Sequence, residues 1–262
     1  MGTQTRELRG APDDVNFFEL MDNHMPRMFL RLMRHLPSDP RCRLCNAPYG
    51  GIGGKIMRRV GFGPSRKNPG LCNTCFEKAP MGGVEMEIGV LFADVRGFTS
   101  LAEALPPQQV ADLLNRFYAC ASGVLSRSAV IDKLVGDEVM ALYIPQLLSN
   151  HWEDELVRDA RELLQTVGFG SDREPWLQLG IGLDAGEAFV GNVGSGEVKD
   201  FTALGDVVNT ASRLQSSAKP GQIVMSERLF GRLTAGSVTA TATTLTLKGK
   251  REAEPARVVE AG

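Results

Sequence analysis

The chain has 262 residues, which is enough for one large domain or two modest ones. With 43% hydrophobic residues, 23% charged residues and a net charge of −2, it has the composition of a soluble globular protein. No apolar stretch approaches the ~20 residues of a membrane helix, and the N-terminus lacks the basic start and apolar core of a signal peptide. We therefore expect a cytoplasmic protein with no membrane-spanning segment.

The charges are distributed unevenly along the chain. Residues 1–80 contain 13 Lys/Arg and 7 Asp/Glu, whereas the remainder contains 16 and 24. Such a basic segment contacts nucleic acid in some proteins and forms a solvated or intramolecular docking face in others. Nucleic-acid binding needs aromatic residues among the basic ones, and the basic stretch 50–70 contains only Phe62 as a stacking ring. We therefore expect no nucleic-acid partner.

The first 80 residues predict a small module of their own. Residues 1–14 are polar and are predicted to be flexible. Residues 15–36 place apolar side chains at helical spacing, and Pro26 is expected to kink or split that helix. Together with the following Gly- and Pro-rich stretch, residues 15–80 are predicted to be a helical and metal-binding module that regulates or positions the rest of the chain.

Four cysteines dominate this module. They are spaced CxxC-x26-CxxC, and they are Cys42, Cys45, Cys72 and Cys75. Paired CxxC spacing is typical of structural zinc, because each pair supplies two thiolates to one tetrahedron. Four thiolates also hold iron–sulfur clusters, and in a reducing compartment they form transient redox-sensing disulfides. We expect structural zinc, with an iron–sulfur cluster or redox thiols as the alternatives.

From residue 84 onward, strands alternate with helices. Residues 87–93 are predicted to be a buried strand that ends at Asp94, and Pro106-Pro107 open an amphipathic helix. Two β-rich runs, 129–135 and 138–144, are separated by Gly136-Asp137, a dipeptide typical of a tight hairpin.

The second half of the domain continues this alternation. A helix is expected near 153–167, a second hairpin over 177–194, a helix over 205–217, and strands near 222–225 and 243–247 around a short helix. The order βαββαβ predicts an α+β fold with a ferredoxin-like sheet, extra C-terminal elements and helices on one face.

Two aspartates are the strongest candidates for chemistry. Asp94 follows a strand, and Asp137 lies in the hairpin turn, so a hairpin beside that strand would bring both carboxylates together. Paired carboxylates suit hard cations such as Mg²⁺ or Mn²⁺, and two such ions about 3.5–4 Å apart assist phosphoryl chemistry. The backbone of residues 95–98, entering a helix, offers N–H groups to a triphosphate. Either aspartate alone is more typical of a turn or a helix cap, and only the pair together with the later motifs favours a metal site.

Four segments, in this order, carry a family resemblance: FADVRGFTSLAE, DKLVGDEVMALY, GIGLDAGEAFVGNVGS and FTALGDVVNTASRL. They resemble the class III nucleotidyl cyclases over about residues 84–260. The resemblance implies a catalytic domain that cyclises a nucleoside triphosphate in a head-to-tail homodimer, with each active site at the interface.

The resemblance also implies a role for each matching residue. One subunit would supply the metal site, and the other would contact the base, ribose and phosphates. The implied set is Asp94 and Asp137 for two Mg²⁺ or Mn²⁺ ions; Lys133 and Thr202 for the base; Asn209 for the ribose; Arg213 for the transition state; and Lys248 for the terminal phosphates. From the turn after Asp94 we add the Val95 backbone at the metal site and Phe98 as a substrate-binding residue.

The base-contacting pair favours ATP. A lysine donates to adenine N1, and a threonine hydroxyl accepts from the 6-amino group. Guanylyl cyclases of the resembled family carry Glu at the Lys133 position and usually Cys at the Thr202 position. The alternatives are a guanylate cyclase and a silent nucleotide-sensing domain. A diguanylate cyclase fits less well, because GDEVM lacks parts of the GG(D/E)EF motif.

Overall fold

A computed structural model describes residues 41–42, 47–59, 61–65, 71–77, 81–148, 150–195, 198–247 and 253–261. The predicted flexible N-terminus, the predicted helix over 15–36, Cys45 and Lys248 lie outside the described residues. None of the described helices is long and apolar enough to cross a membrane.

The elements follow one another closely along the chain. They are α1 (Gly51–Arg59), α2 (Asn73–Glu77), β1 (Gly82–Val95), α3 (Phe98–Ala104), α4 (Pro107–Leu125), β2 (Val130–Val135), β3 (Glu138–Tyr143), a 3₁₀ turn (Pro145–Leu147), α5 (Trp152–Thr166), β4 (Leu179–Ser195), β5 (Val198–Leu204), α6 (Asp206–Ser217), β6 (Gln222–Ser226), α7 (Glu227–Phe230), β7 (Thr241–Leu245) and β8 (Glu254–Glu260).

The described strands form one eight-stranded sheet in the order β2-β3-β1-β4-β6-β8-β7, with β5 paired to β4. The first four strands in this order, with α4 and α5 as their connections, make the ferredoxin-like core that the sequence predicts. Strand β6 runs parallel to β4, and β8 and β7 extend the sheet antiparallel. The predicted α+β class with extra C-terminal elements is confirmed.

The predicted second hairpin over 177–194 is wrong, because this segment is the single strand β4. Strand β1 is also longer than predicted, and it pairs with β4 along its whole length from Gly82 to Val95. This ladder continues through Gly186, which lies opposite Ile88. Pairing with a long neighbour thus holds a glycine-containing stretch extended, although the local sequence favours a turn there. The hairpin that does form joins β4 to β5.

The sheet is covered on both faces, whereas the sequence predicts helices on one. Alternate residues of β1, such as Leu91 and Ala93, pack with α4 and α5 through Phe117 and Leu156. The intervening residues of β1 contact a second buried cluster on the opposite face. Its members include Ile88, Val90 and Phe92 of β1, Val207 and Ala211 of α6, and Cys42, Cys72 and Cys75.

Candidate active site

The carboxylates of the first site converge where β1 ends. Asp94 lies directly opposite Glu138 in the antiparallel register of β1 and β3. The Val95 N–H donates to the Asp137 carbonyl oxygen at 3.2 Å, which fixes the β2–β3 turn against the strand end. Gly136 has φ of 60°, a left-handed conformation that glycine adopts without strain. The turn therefore holds Asp137 beside Asp94, as the sequence predicts.

The electrostatics of this cluster favour a cation. Burial raises the pKa of the Asp137 carboxyl, and the negative charge of Asp94 raises it further. Burial likewise raises the pKa of Glu138, followed by the charges of Asp94 and Asp137. Arg96 pairs with Asp94 at 2.7 Å and offsets part of this repulsion. Three crowded carboxylates form an oxygen donor set of the kind that Mg²⁺ or Mn²⁺ requires.

Sequence reasoning missed Glu138 as a member of this cluster. Its signal was its position directly after Asp137, but strand residues alternate between faces, and adjacency alone does not place a side chain. The antiparallel register opposite Asp94 and the mutual effect on pKa identify it.

The strand-to-helix turn after Asp94 was expected to present backbone N–H groups to phosphates. The Val95 and Arg96 N–H groups are engaged within the fold, the latter with the Gln178 carbonyl oxygen at 2.8 Å. Gly97 then takes a left-handed φ of 72° before α3 begins at Phe98. The phosphate-contacting prediction for this turn is therefore restricted to the amides of Gly97 and Phe98.

The two predicted base-contacting residues lie together. Thr202 Oγ1 on β5 donates to Asp132 Oδ2 on β2 at 2.8 Å. Lys133 follows Asp132 and lies 4.0 Å, between Nζ and Oδ2, from Asp200, two residues before Thr202 on β5. Strand β5 thus contacts β2, although β2 and β5 lie on opposite sides of β1 in the sheet order. The pairing register of β2 with β3 shifts between Ile131 and Lys133, so Asp132 lies at this irregularity in β2.

Helix α6 carries the predicted ribose and phosphate residues. Its buried face includes Val207 and Leu214, whereas Asn209 is exposed and Arg213, one turn later, is partly exposed. The helix packs closely on β4 at Gly182, where an added Cβ would lie 2.2 Å from the Gln215 nitrogen. Arg228 of α7 donates a hydrogen bond to the buried carboxylate of Asp184 on the same strand, β4.

Arg213 of α6 and the aspartates of the metal-side cluster are not joined directly in the part of the chain that the structure describes. Among the residues that the structure describes, no hydrogen bond or ion pair joins Arg213 to Asp94 or Asp137. The charge-handling residues therefore fall into two groups on one chain. One group surrounds the β2–β3 turn, and the other lies on α6.

Three of the four predicted zinc ligands form a cluster. The Sγ atoms of Cys42, Cys72 and Cys75 all lie within 4.8 Å of one another, and the three residues are buried. The Cys72 N–H donates to Cys42 Sγ at 3.2 Å, and the Cys75 N–H donates to Cys72 Sγ at 3.3 Å. Such amide donors stabilise thiolates, the form that binds metal. Cys45 completes the predicted set, but it lies outside the described residues.

Residues 84–257 match the family model for the adenylate and guanylate cyclase catalytic domain. The chain belongs to this family. The cyclase domain therefore includes the metal-side cluster, the base-contacting pair and α6, whereas the cysteine cluster precedes it.

Curated relatives share this domain within longer proteins. An uncharacterized protein of Mycobacterium tuberculosis is 34% identical over 154 residues, which is 57% of this chain and 28% of that protein. A second uncharacterized protein of the same organism is 34% identical over 156 residues, or 58% of this chain and 27% of that protein. The chain thus spans little more than a quarter of the length of these relatives.

Solved cyclase structures share the fold. The guanylyl cyclase Cya2 has a TM-score of 0.61 and 28% identity, with coverage of 70% of this chain and 96% of that one. The adenylyl cyclase CyaB from P. aeruginosa has a TM-score of 0.60 and 26% identity, with coverage of 70% and 98%. Since both base specificities occur among these structures, the shared fold is compatible with either ATP or GTP as the substrate.

Proposed function

We propose that this chain is an adenylate cyclase, which converts ATP to 3′,5′-cyclic AMP and pyrophosphate. The juxtaposition of Lys133 and Thr202 across β2 and β5 carries the proposal. Adenine has an acceptor at N1 and a donor at its 6-amino group. A lysine ammonium and a hydroxyl lone pair are complementary to those two groups.

The proposed reaction needs positioning and charge neutralisation more than covalent catalysis. The ribose 3′-hydroxyl attacks the α-phosphate of the same nucleotide, and pyrophosphate leaves. Asp94, Asp137 and the Val95 carbonyl would hold two Mg²⁺ or Mn²⁺ ions, which when bound lower the pKa of the attacking hydroxyl and neutralise phosphate charge. The crowded carboxylates described above fit this role, because a cation relieves the mutual repulsion that raises the pKa of Asp137.

The chain's own side chains complete the proposed mechanism. Asn209 orients the ribose, and Arg213 meets the negative charge that develops in the transition state. The two residues are one helical turn apart on α6, so one helix addresses both sugar and phosphorus. Lys248 would contact the terminal phosphates, together with the amide of Phe98.

We further propose a homodimer in which each site uses both chains. Among the described residues, no hydrogen bond or ion pair joins Arg213 of α6 to Asp94 or Asp137, and this supports the arrangement. Apolar side chains are also exposed on the two arms that flank the site: Leu134 and Val135 at the β2–β3 hairpin, and Val193 and Leu204 at the β4–β5 hairpin. A second copy would cover them, since exposed apolar groups on adjacent arms favour association.

The similarity to the guanylyl cyclase Cya2 supports GTP as the alternative substrate. The test is to incubate the purified protein with ATP or GTP and with Mg²⁺ or Mn²⁺, and to identify the products by chromatography. Cyclic AMP, with GTP used poorly, is the expected result. Cyclic GMP in excess over cyclic AMP would replace the proposal with the alternative, and no cyclic product from either nucleotide would refute cyclase activity under those conditions.

We also propose structural zinc bound by Cys42, Cys45, Cys72 and Cys75. Such a thiolate site persists in the reducing cytoplasm, where we propose that the protein acts. Elemental analysis of the purified protein is expected to give one zinc per chain. Iron with sulfide would instead support the iron–sulfur alternative, and protein free of metal would support redox thiols.

A further inference from the structure

The base site contains a buried carboxylate that the family resemblance does not assign. Asp132 immediately precedes Lys133 on β2, and its side chain is fully buried, with 0% exposure. Its Oδ2 accepts the hydrogen bond from Thr202 Oγ1 at 2.8 Å across 70 residues of sequence. Thr202 itself is 6% exposed, so only a small part of it remains accessible to a nucleotide.

This hydrogen bond determines whether the Thr202 hydroxyl can donate to a base or only accept from it. A hydroxyl has one proton and two lone pairs, whereas an ionised carboxylate has acceptor sites alone. When the Asp132 carboxylate is ionised, the single proton of Thr202 is used in the bond to it. The part of the hydroxyl that faces a nucleotide is then restricted to lone pairs, and it acts as an acceptor.

An acceptor at this position distinguishes the two purines. The 6-amino group of adenine donates a hydrogen bond to such an acceptor. O6 of guanine is itself an acceptor, so its lone pairs and those of the Thr202 hydroxyl would repel each other. An unmatched polar group in a buried site is costly, so this opposition discriminates more strongly than a missing contact would. A threonine whose hydroxyl rotates freely would accept from adenine or donate to guanine.

We propose that Asp132 is a specificity-determining positioning residue, which orients the Thr202 hydroxyl as an acceptor and thereby favours ATP over GTP. This inference rests on the proposed function of the site. A purely structural alternative is that Asp132 only anchors β5 to β2. The two differ in their consequences, because an anchor affects stability and total activity, whereas an oriented hydroxyl affects the ratio of activities with the two nucleotides.

The test replaces Asp132 with asparagine. An amide offers a donor as well as an acceptor, so Asp132→Asn allows the Thr202 hydroxyl to accept from the amide and to donate to guanine O6. We expect the ratio of kcat/KM for ATP to that for GTP to fall by roughly tenfold, the size of one hydrogen bond, mainly through better use of GTP. Thermal unfolding is recorded to show that the variant is folded.

The matched control is Asp159→Asn. Asp159 is also fully buried and also accepts from a hydroxyl, that of Tyr143 at 3.0 Å, but it lies on α5 under the opposite face of the sheet. We expect this control to lower stability and to leave the ATP-to-GTP ratio unchanged. A folded Asp132→Asn protein with the wild-type ratio would overturn the inference, as would an equal change of the ratio in the control.

A second variant covers failure of Asp132→Asn to fold. Thr202→Val removes the hydroxyl and is expected to lower the same ratio, whereas Thr202→Ser retains both hydroxyl and ratio. A wild-type ratio in Thr202→Val would also overturn the inference. Dissociation constants for ATP and GTP, measured by calorimetry, give the ratio without turnover. A wild-type protein that binds ATP selectively but forms no cyclic product would therefore refute the cyclase proposal alone, and one that binds the two nucleotides equally would overturn the role of Asp132.

Discussion

Mixing two inactive variants tests the shared active site. Asp94→Ala removes a carboxylate of the metal-side cluster, and Arg213→Ala removes the guanidinium of α6. In the proposed mechanism, each substitution removes a group that acts on the reacting α-phosphate. We therefore expect each homodimer to lose activity by a factor of about 10² or more.

The expected recovery on mixing follows from the division of the site between chains. In a heterodimer, one site combines the intact carboxylates of the Arg213→Ala chain with the intact helix of the Asp94→Ala chain. The other site carries both substitutions. Random reassortment of equal amounts makes half of the dimers heterodimers, each with one working site of two, so the mixture is expected to regain about a quarter of the wild-type activity.

The assay uses two affinity tags on the two variants, reassortment or co-expression, and tandem purification of the heterodimer before the product is measured. The purified heterodimer is expected to have about half of the wild-type activity, because one of its two sites is intact. The matched control mixes Asp94→Ala with Asp137→Ala. Both of these lie in the metal-side cluster, so neither site of that heterodimer is intact and no recovery is expected. Purified Asp94→Ala/Arg213→Ala heterodimers that remain as inactive as the parents would refute the shared site, and so would recovery in the control mixture.

Three further predictions concern stability. In metal-free buffer, Asp137→Asn is expected to stabilise the domain by up to about 0.5 kcal/mol, because it removes one of several crowded carboxylates. Added Mn²⁺ is expected to stabilise the wild-type domain but not this variant, and thermal unfolding with and without Mn²⁺ tests both expectations. Gly182→Ala places a Cβ 2.2 Å from the backbone of α6, so we expect a loss of about 1–3 kcal/mol and of activity, whereas Gly123→Ala, with no atom within 4 Å of the added Cβ, serves as the tolerated control in chemical denaturation. Cys72→Ser is expected to lower the melting temperature of the whole domain, since Cys72 belongs to the buried cluster under β1, whereas Cys120→Ser on α4 is expected to change it little; equal effects would contradict a structural role of the cysteine cluster.

The elements that the sequence predicts correctly are those set by short-range patterns. The Gly136-Asp137 turn requires a glycine in the left-handed conformation, and both flanking strands are rich in apolar β-forming residues. The local sequence is therefore sufficient to predict the hairpin. Helix α4 begins at the second of two prolines and follows the predicted apolar spacing. For the metal-side cluster, placing one turn beside one strand end was sufficient to bring Asp94 and Asp137 together.

The errors come from pairing over long sequence distances. Strand β4 includes Gly186 and was predicted to be two strands, but its register with β1 continues on both sides of that glycine. The position of α6 on the second face of the sheet likewise depends on the close approach at Gly182, which no periodicity of the helix reveals. Asp132 was visible in the sequence beside Lys133, yet its bond to Thr202 spans 70 residues and depends on how β5 approaches β2.

The two parts of the candidate site differ in what completes them. The base-contacting pair is assembled within one chain, because β5 brings Thr202 to Asp132 and Asp200 to Lys133. The residues that we propose to act on phosphate are divided between the β2–β3 turn and α6, with no described bond between them. A single chain therefore contains the proposed base-contacting residues in place, but not a joined set of the residues proposed to act on phosphate. If a second chain supplies the other group, the choice of base depends on the fold of one chain, whereas the rate of reaction depends on how two chains are positioned. The cysteine cluster packs against β1, so a change in it could alter the base site and the position of the partner chain.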